Sequence, residues 1–157
     1  MNVEIWSLGK ANEPFIETAI AYYLQKVKPY NPVELVILQP AKKTITTDIL
    51  RNKQAEEELV LKRLQPQHYL VLLDERGKML DSIEWSVQFQ QLMNTGTKTL
   101  VILIGGAFGV TDIVREKAKQ TWSLSKLVFP HQLVRLMVAE QVYRTFSILN
   151  NSPYHHI

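Results

Sequence analysis

The chain has 157 residues and a formal net charge of +3, and its composition of 46% hydrophobic and 21% charged residues is typical of globular proteins. We therefore predict one domain over residues 1–157, and the charge permits a polyanionic partner. The absence of cysteine excludes disulfides and thiolate–zinc sites and favours a reducing compartment. Because no apolar stretch approaches the ~18 residues of a membrane span and MNVEIWSLGK is not a secretory signal, we expect a cytoplasmic protein with no membrane partner.

Apolar runs of strand length alternate with helical patterns in the first part of the chain. A strand is predicted from Val3, and the helix after it has Asn12 as its expected cap and must end before Pro29. The next strand is predicted from Val33, and the apolar and charge spacing over residues 47–64 predicts a second helix.

The same alternation continues in the middle of the chain. A strand is predicted from Tyr69, and a third helix should begin at Asp81 or Ser82 and end by Gly96. Another strand is predicted from Thr99. Both strands are nearly continuous apolar runs, which predicts that helices cover them on both faces.

Strand–helix–strand order of this kind predicts an α/β domain with a mostly parallel sheet and flanking helices. Ligands of such sheets bind beyond the carboxyl ends of the strands. Two of these ends carry the segments LLDERGK at 72–78, expected to be a polar turn, and LIGGAFGVTD at 103–112, which precedes a short helix. In the second segment Gly105 and Gly106 let a ligand approach the backbone closely. It is neither a dinucleotide fingerprint nor a P-loop, which disfavours those two enzyme classes.

The segment at 122–151 predicts a long helix from about residue 132 to residue 149, with Pro130 at its start. Its apolar coverage is broad, which indicates burial against more than one surface and would suit a subunit interface. Glu140 and Arg144 are four residues apart, so they form either a solvated bridge or an interface pair, and the spacing alone favours the first.

Two of the four histidines, His155 and His156, lie beside Pro153 and Tyr154 in the terminal segment NSPYHHI. Chain termini are usually frayed, so one interpretation is a solvated tail with incidental imidazoles, which the tail taken alone favours. The other interpretation is a tail that docks into an active site, where Pro153 would reduce the entropy lost on docking.

The set LDERGK, IGGAFG, SLSKLVFPHQLVR, EQVYR and SPYHH, in this order and in so short a chain, closely resembles the RlmH family of SPOUT-class methyltransferases. The resemblance spans essentially the whole chain. It implies methylation of N3 of a pseudouridine in 23S ribosomal RNA, with S-adenosylmethionine as methyl donor and no metal. Because the sequence shows no separate RNA-binding domain, we expect recognition to depend on the assembled ribosome, although free RNA stays open as a substrate. The resemblance also implies a deep trefoil knot in the C-terminal part and a homodimer that builds each active site.

Carried over by motif, the resemblance assigns S-adenosylmethionine contacts to two strand ends and one loop. Phe108 departs from the family pattern, since relatives often carry a polar or acidic residue at that position. The expected contacts are Leu73, Gly105, Leu124, Ser125, Lys126, Leu127, Val128 and Phe129.

Methyl transfer to N3 requires alignment of two ligands, removal of a weakly acidic proton and stabilisation of the developing anion. The candidate residues for these tasks are His131, Arg135, Arg144, Tyr154 and His155. We expect Arg144 or Arg135 to contact an anion or phosphate, and Tyr154 with His155 to hold the base. His131 either takes part or only caps the helix beneath the cofactor loop.

Two other functions stay open at this point. The first is a related SPOUT enzyme that acts on transfer RNA. The second is a non-catalytic ribosome-binding module that retains the fold, although the intact Gly105–Gly106 loop and the PYHH ending argue against it.

Overall fold

Five strands form the centre of the computed structural model, which describes residues 1–155. They are β1 (Asn2–Leu8), β2 (Val33–Leu38), β3 (His68–Met79), β4 (Thr99–Ile104) and β5 (Gln120–Ser123). They make one sheet in the order β2-β1-β4-β3-β5, and every neighbouring pair is parallel. The predicted α/β class with a parallel sheet is confirmed, whereas the trefoil knot stays a prediction.

Within residues 1–155, four α-helices and one short 3-10 turn at Lys42–Thr44 connect the strands, and a fifth α-helix follows β5. The helices are α1 (Pro14–Val27), α2 (Ile49–Arg63), α3 (Ser82–Asn94), α4 (Asp112–Lys117) and α5 (His131–Leu149). None of the helices within residues 1–155 is long and apolar enough to cross a membrane.

Side-chain capping fixes the first residue of a helix where the sequence places a capping residue before it. Asp81 accepts a hydrogen bond from the backbone N–H of Glu84, whose side chain accepts one from Asp81 N–H, so the predicted capping box is confirmed. The cap predicted at Asn12 is wrong. The N-cap of α1 is Glu13, which makes no side-chain capping bond, and the Asn12 side chain instead donates to Glu17.

Helices cover both faces of the sheet. The helices α1, α3 and α5 pack together on one face, where Ile5, Ile102 and Phe89 lie in the larger apolar core. The helices α2 and α4 contact each other beside the smaller core, which contains Trp6 and Leu103. All six residues of β4 are buried, as the continuous apolar run predicts.

The broad apolar coverage of α5 is largely used inside the chain. The helix contacts α1 and α3 and also lies against β1 and β4. Its buried positions include Val138, Val142 and Phe146. Burial against more than one surface is therefore confirmed, but these surfaces belong to the same chain.

The polar segment 74–77 does not form the predicted turn. It continues β3, and the pairing of β3 with β5 shifts register between Leu73 and Lys78. A Cβ at Gly77 would lie 2.7 Å from backbone atoms of Thr121 and Trp122, so only glycine allows this close approach of β3 and β5. The sequence did not reveal β5, which lies at the edge of the sheet beside this irregular segment.

Candidate active site

A cavity of about 410 Å³ opens at the carboxyl end of β4, beside residues 73–76 of β3, where the pairing of these two strands ends. We call it the strand-end cavity; it lies where this part of β3, the glycine loop (residues 105–109) and the loop at 124–129 meet. Of the eight residues expected to contact the cofactor, Lys126 is not among those that line it. The seven that do are Leu73, Gly105, Leu124, Ser125, Leu127, Val128 and Phe129.

The glycine loop presents bare backbone to the strand-end cavity. Gly109 has φ +74° and donates its N–H to the carbonyl of Gly106 at 2.9 Å, which folds the loop back on itself. A Cβ at Gly105 would lie 3.4 Å from Val110 Cγ1, an acceptable contact on the protein side. A Cβ at Gly106 would collide with the carboxylate of Glu56. Glu56 therefore packs closely against the glycine loop, while the residues of the loop also line the strand-end cavity.

The loop at 124–129 carries two apolar side chains that no other residue among 1–155 covers. Ser125 braces it, because its hydroxyl oxygen accepts from Leu127 N–H at 2.9 Å and its carbonyl accepts from Ser123 Oγ at 2.9 Å. Leu127 is 69% exposed and Val128 is 80% exposed. Exposed apolar side chains side by side at a cavity rim mark a surface that a ligand or partner covers.

A network of charges crosses the rim of the strand-end cavity at residues 74–76 of β3. Asp74 accepts from Arg76 Nε at 2.9 Å, from Arg76 Nη2 at 2.8 Å and from Arg115 Nη1 at 3.1 Å. The Arg76 guanidinium, helped by Arg115, holds the pKa of Asp74 well below its usual range, so this carboxylate stays ionised. Sequence reasoning singled out this segment but missed Arg115, which is distant along the chain and carries no local signal.

His131 lies half-buried at the rim of the strand-end cavity, at the first position of α5. It does not cap the helix, since Pro130 is the N-cap residue and no side chain makes a capping bond there. Burial, together with the nearby Arg135 guanidinium, lowers the pKa of His131. Its imidazole is therefore neutral near pH 7 and can accept or donate a proton.

Arg135 is 1% exposed and is bonded by the fold itself. Its Nε donates to Ser7 Oγ at 2.7 Å, and its Nη1 donates to the Lys10 carbonyl at 2.8 Å and to Asn12 Oδ1 at 2.7 Å. Its Nη2 donates to the Leu8 carbonyl at 3.4 Å. These bonds tie α5 to the end of β1 and occupy the Arg135 guanidinium, so of the two arginines expected to contact an anion they favour Arg144.

The tail is docked on the C-terminal half of α5. We call Glu140, Arg144, Tyr154 and His155 the tail cluster. Glu140 Oε1 accepts from Tyr154 Oη at 2.9 Å and from Arg144 Nε at 3.0 Å and Nη2 at 2.6 Å. Arg144 Nη1 lies 3.2 Å from His155 Nδ1, and the guanidinium carbon lies 4.8 Å from the centre of the Tyr154 ring.

These contacts correct the interpretation of a solvated tail for Tyr154 and His155, while His156 lies outside the described residues. The Tyr154 ring also packs against Tyr143, with centroids 4.5 Å apart. Burial, reinforced by the bond to Glu140, raises the pKa of Tyr154, so its phenol remains a donor. The Glu140–Arg144 pair is an anchor for the tail rather than a freely solvated bridge.

A single chain does not bring the tail cluster and the strand-end cavity together. None of the residues that line the cavity belongs to the tail cluster. His131 and Arg144 are thirteen positions apart in α5, which corresponds to about 20 Å at 1.5 Å per residue. Among residues 1–155, no group of three or more metal-ligating side chains lies close enough to hold a metal ion.

An apolar groove of about 520 Å³ lies on α5 between these two places. It extends from Leu124, which also lines the strand-end cavity, to Glu140 of the tail cluster. Leu133, Leu136 and Met137 of α5 form part of its wall, and Leu133 is exposed. The groove therefore provides a continuous apolar surface along α5.

A parallel α/β sheet with a cavity at the carboxyl ends of adjacent strands is an architecture that binds small ligands and supports many chemistries. The family model described as "Predicted SPOUT methyltransferase" matches residues 1–155. The chain belongs to this family of methyltransferases, as the motifs predict.

Curated relatives narrow the comparison further. The chain is 40% identical over 156 residues to the Ribosomal RNA large subunit methyltransferase H of Flavobacterium psychrophilum, which covers 99% of each chain. It is 39% identical to the protein of the same name from Parabacteroides distasonis, again over 99% of each. Among solved structures, the chain is similar to the tRNA (m1G37) methyltransferase from Aquifex aeolicus, with a TM-score of 0.58 and 14% sequence identity. The superposition covers 100% of this chain and 76% of that one. At this level of identity, the similarity supports the fold alone.

Proposed function

We propose that this protein transfers a methyl group from S-adenosylmethionine to N3 of a pseudouridine in 23S ribosomal RNA, in the cytoplasm and on the assembled ribosome. The observation that carries the proposal is the strand-end cavity, which seven of the eight expected cofactor residues line. The relatives named Ribosomal RNA large subunit methyltransferase H, at about 40% identity over nearly the full length, support the choice of RNA.

The residues of the strand-end cavity fit S-adenosylmethionine. Its volume lies within the range of about 300–1,000 Å³ that is usual for small-molecule sites. Leu73 and Phe129 would cover the apolar faces of the adenosine, and the bare backbone at Gly105 allows close approach and hydrogen bonding. When bound, S-adenosylmethionine supplies a methyl group activated by its sulfonium.

The residues around the cavity and the tail then have separate tasks in the reaction. N3 of pseudouridine lies between two carbonyls, so loss of its proton gives an anion that a nearby cation stabilises. Arg144 carries the cation of the tail cluster, and Tyr154 and His155 hold the base beside it. The neutral His131 at the cavity rim can hold or accept a proton close to the reacting atoms.

The separation within one chain supports a homodimer with shared sites. Arg144 of the tail cluster lies about 20 Å along α5 from His131 at the cavity rim, so it reaches a cavity most directly in a second copy. In a two-fold dimer, the same apolar groove of each copy contacts the other. Leu133, Leu136 and Met137 would be buried there, which would also cover the exposed Leu127 and Val128.

Mass mapping of methylated nucleosides tests the proposed reaction. Ribosomal RNA from a strain that lacks the gene should lose one N3-methylpseudouridine. The purified protein with S-adenosylmethionine should restore it on ribosomes from that strain. If the strain lost a methyl group from its transfer RNA instead, the protein would be the related SPOUT enzyme that acts on transfer RNA. A protein that binds no S-adenosylmethionine in calorimetry would support the non-catalytic module.

A further inference from the structure

A second cavity, of about 550 Å³, lies on the other side of the glycine loop from the strand-end cavity. The loop after β1, the end of β2, α2 and the start of α5 surround it. Phe108 and His131 line both cavities, so an occupant of the second cavity would lie next to the strand-end cavity. The proposed reaction assigns no ligand to this second cavity.

The second cavity has an excess of positive charge. Lys10 and Lys53 line it together with Arg135, against the single carboxylate of Glu56. Within residues 1–155 neither lysine forms a salt bridge, and Arg135 is fixed to the end of β1. Two ammonium groups that make no salt bridge within residues 1–155 lie at one cavity, and this favours an anionic ligand such as a phosphate.

Glu56 is a half-buried carboxylate that makes no hydrogen bond with any residue in the described part of the chain. Burial raises its pKa, and Lys53 opposes that shift. Its two oxygens lie against Gly106, where a Cβ would collide with them. The carboxylate faces the second cavity, where a ligand with N–H donors would supply hydrogen bonds that residues 1–155 do not.

Phe108 offers the aromatic surface of the second cavity. It is 60% exposed although it lies in a loop between two cavities, and Ile45 at the same cavity is 47% exposed. Aromatic side chains on which unpaired bases stack are the common feature of single-stranded nucleic-acid sites. The second cavity thus combines a stacking surface, an acceptor for base N–H groups and cations for phosphate.

We propose that the second cavity holds one unpaired nucleotide of the RNA substrate, with its base on Phe108, its hydrogen-bonding edge at Glu56 and its phosphate at Lys10 and Lys53. This inference rests on the proposed function, because an RNA substrate supplies the nucleotide. Since Phe108 and His131 line both cavities, the bound nucleotide would be a near neighbour of the methylated one and would set the register of the RNA.

Steady-state methylation of ribosomes tests the proposal with Lys53→Ala, Glu56→Gln and Phe108→Ala. Stacking on an aromatic side chain contributes about 1–3 kcal/mol per base, so Phe108→Ala should raise the KM for ribosomes about ten-fold. Lys53→Ala and Glu56→Gln should raise it several-fold and leave S-adenosylmethionine affinity unchanged, because neither residue lines the strand-end cavity. Phe15→Ala, at another exposed phenylalanine, and Lys117→Ala are matched controls that should keep the parent KM.

A titration of the S-adenosylmethionine-saturated protein with nucleoside 5′-monophosphates separates the second cavity from the strand-end cavity. Calorimetry should detect binding that Phe108→Ala and Lys53→Ala both weaken, whereas inorganic phosphate should bind less tightly and respond to Lys53→Ala alone. Nucleotides that compete with S-adenosylmethionine would overturn the proposal. Variants that lose nucleotide binding but keep the parent KM for ribosomes would also overturn it, because the second cavity would then bind a free nucleotide and not the RNA substrate.

The failure of this inference differs from the failure of the proposed function. If the parent protein methylates ribosomes and all three variants keep its KM, the second cavity does not hold the RNA and the proposed function stands. If the parent protein methylates no ribosome, the proposed function fails, and the absence of nucleotide binding in the titration would then also overturn the inference.

Discussion

The two ends of α5 differ in what they hold, although each carries an arginine that the sequence suggests for the same task. At the N-terminal end, Arg135 is buried and donates to groups at the end of β1. At the C-terminal end, Arg144 donates to Glu140 and contacts His155 of the tail. One arginine stabilises the fold that positions the strand-end cavity, and the other belongs to a cluster built from the tail.

This difference between the two ends of α5 predicts that cofactor binding and methyl transfer depend on different residues. Cofactor affinity should depend on the residues near the N-terminal end of α5, because seven of the eight expected contact residues line the strand-end cavity there. Turnover should depend on both ends, because Arg144, proposed to stabilise the anion, lies about 20 Å further along the helix than His131. Changes at the two ends should therefore have different effects on affinity and on rate.

Gly105→Val should have the largest effect on binding. Gly105 has no positive φ, and its Cβ position meets Val110 Cγ1 at 3.4 Å, so the backbone tolerates a side chain there. The two methyl groups of valine must then occupy space at the strand-end cavity where S-adenosylmethionine would approach the backbone. We expect calorimetry on the folded variant to show no binding. Gly105→Ala, a smaller change at the same position, should retain part of the affinity. Undiminished affinity in the valine variant would refute the site.

Removal of residues 153–157 should have the next largest effect, on rate alone. The truncation takes away Tyr154 and His155 but none of the residues that line the strand-end cavity. Loss of positioning groups lowers rates by about 10²-fold, so turnover on ribosomes should fall by that order while S-adenosylmethionine affinity stays the same. Methylation at the parent rate would show that the docked tail has no part in the reaction.

Mixed dimers test whether one site uses both ends of α5 from different copies. Gly105→Val and Arg144→Ala each remove one half of the site. In a dimer of the two variants, the intact cavity of one copy faces the intact tail of the other. After dissociation and random reassociation of an equal mixture, about a quarter of the parent activity should return, because half of the dimers have one intact site out of two.

The control for this experiment is each variant alone, which should stay inactive after the same treatment. A mixture that also stays inactive, in spite of confirmed subunit exchange, would show that each chain builds its whole site. Light scattering should give about twice the chain mass of 18.1 kDa if the proposed dimer forms in solution.

Local patterns predicted the fold where the deciding contacts were local. The apolar runs gave β2 and β4 with the bounds that the structure shows, and the spacing of Asp81 and Glu84 gave the start of α3. β5 was missed, because Gln120–Ser123 has a single large apolar residue and pairs only along one edge. The cap predicted at Asn12 was wrong because the Asn12 side-chain oxygen accepts a hydrogen bond from Arg135, which is 123 residues away.

The candidate site was predictable to the extent that motifs name contact residues. The motifs gave the seven cavity residues together with His131, all of which line the cavity where the pairing of β3 with β4 ends. They could not separate Arg135 from Arg144, because the groups that bury Arg135 come from the end of β1. The bond between Asp74 and Arg115 and the second cavity beside Glu56 also depend on residues far apart in sequence.

Tyr154→Phe should have the smallest effect of these changes. It removes one hydroxyl, which donates to Glu140 at 2.9 Å, and keeps the ring that packs against Tyr143 and lies beneath Arg144. A hydrogen bond to a charged group contributes about 1.5–3 kcal/mol, and part of the tail's docking through the ring would remain. We therefore expect a several-fold loss of turnover with unchanged cofactor affinity.

The pH dependence of the Tyr154→Phe variant sharpens this prediction. Burial raises the pKa of Tyr154 from its usual value, so the phenol is protonated throughout the physiological range and cannot be the group that accepts the N3 proton. The shape of the pH–rate profile should therefore be that of the parent enzyme. His155→Ala is the comparison, since it removes the imidazole of the same tail and leaves the Tyr154 hydroxyl in place. Loss of the acidic limb in His155→Ala alone would assign the proton to His155, whereas its loss in Tyr154→Phe would contradict the role of Tyr154 as a holding group.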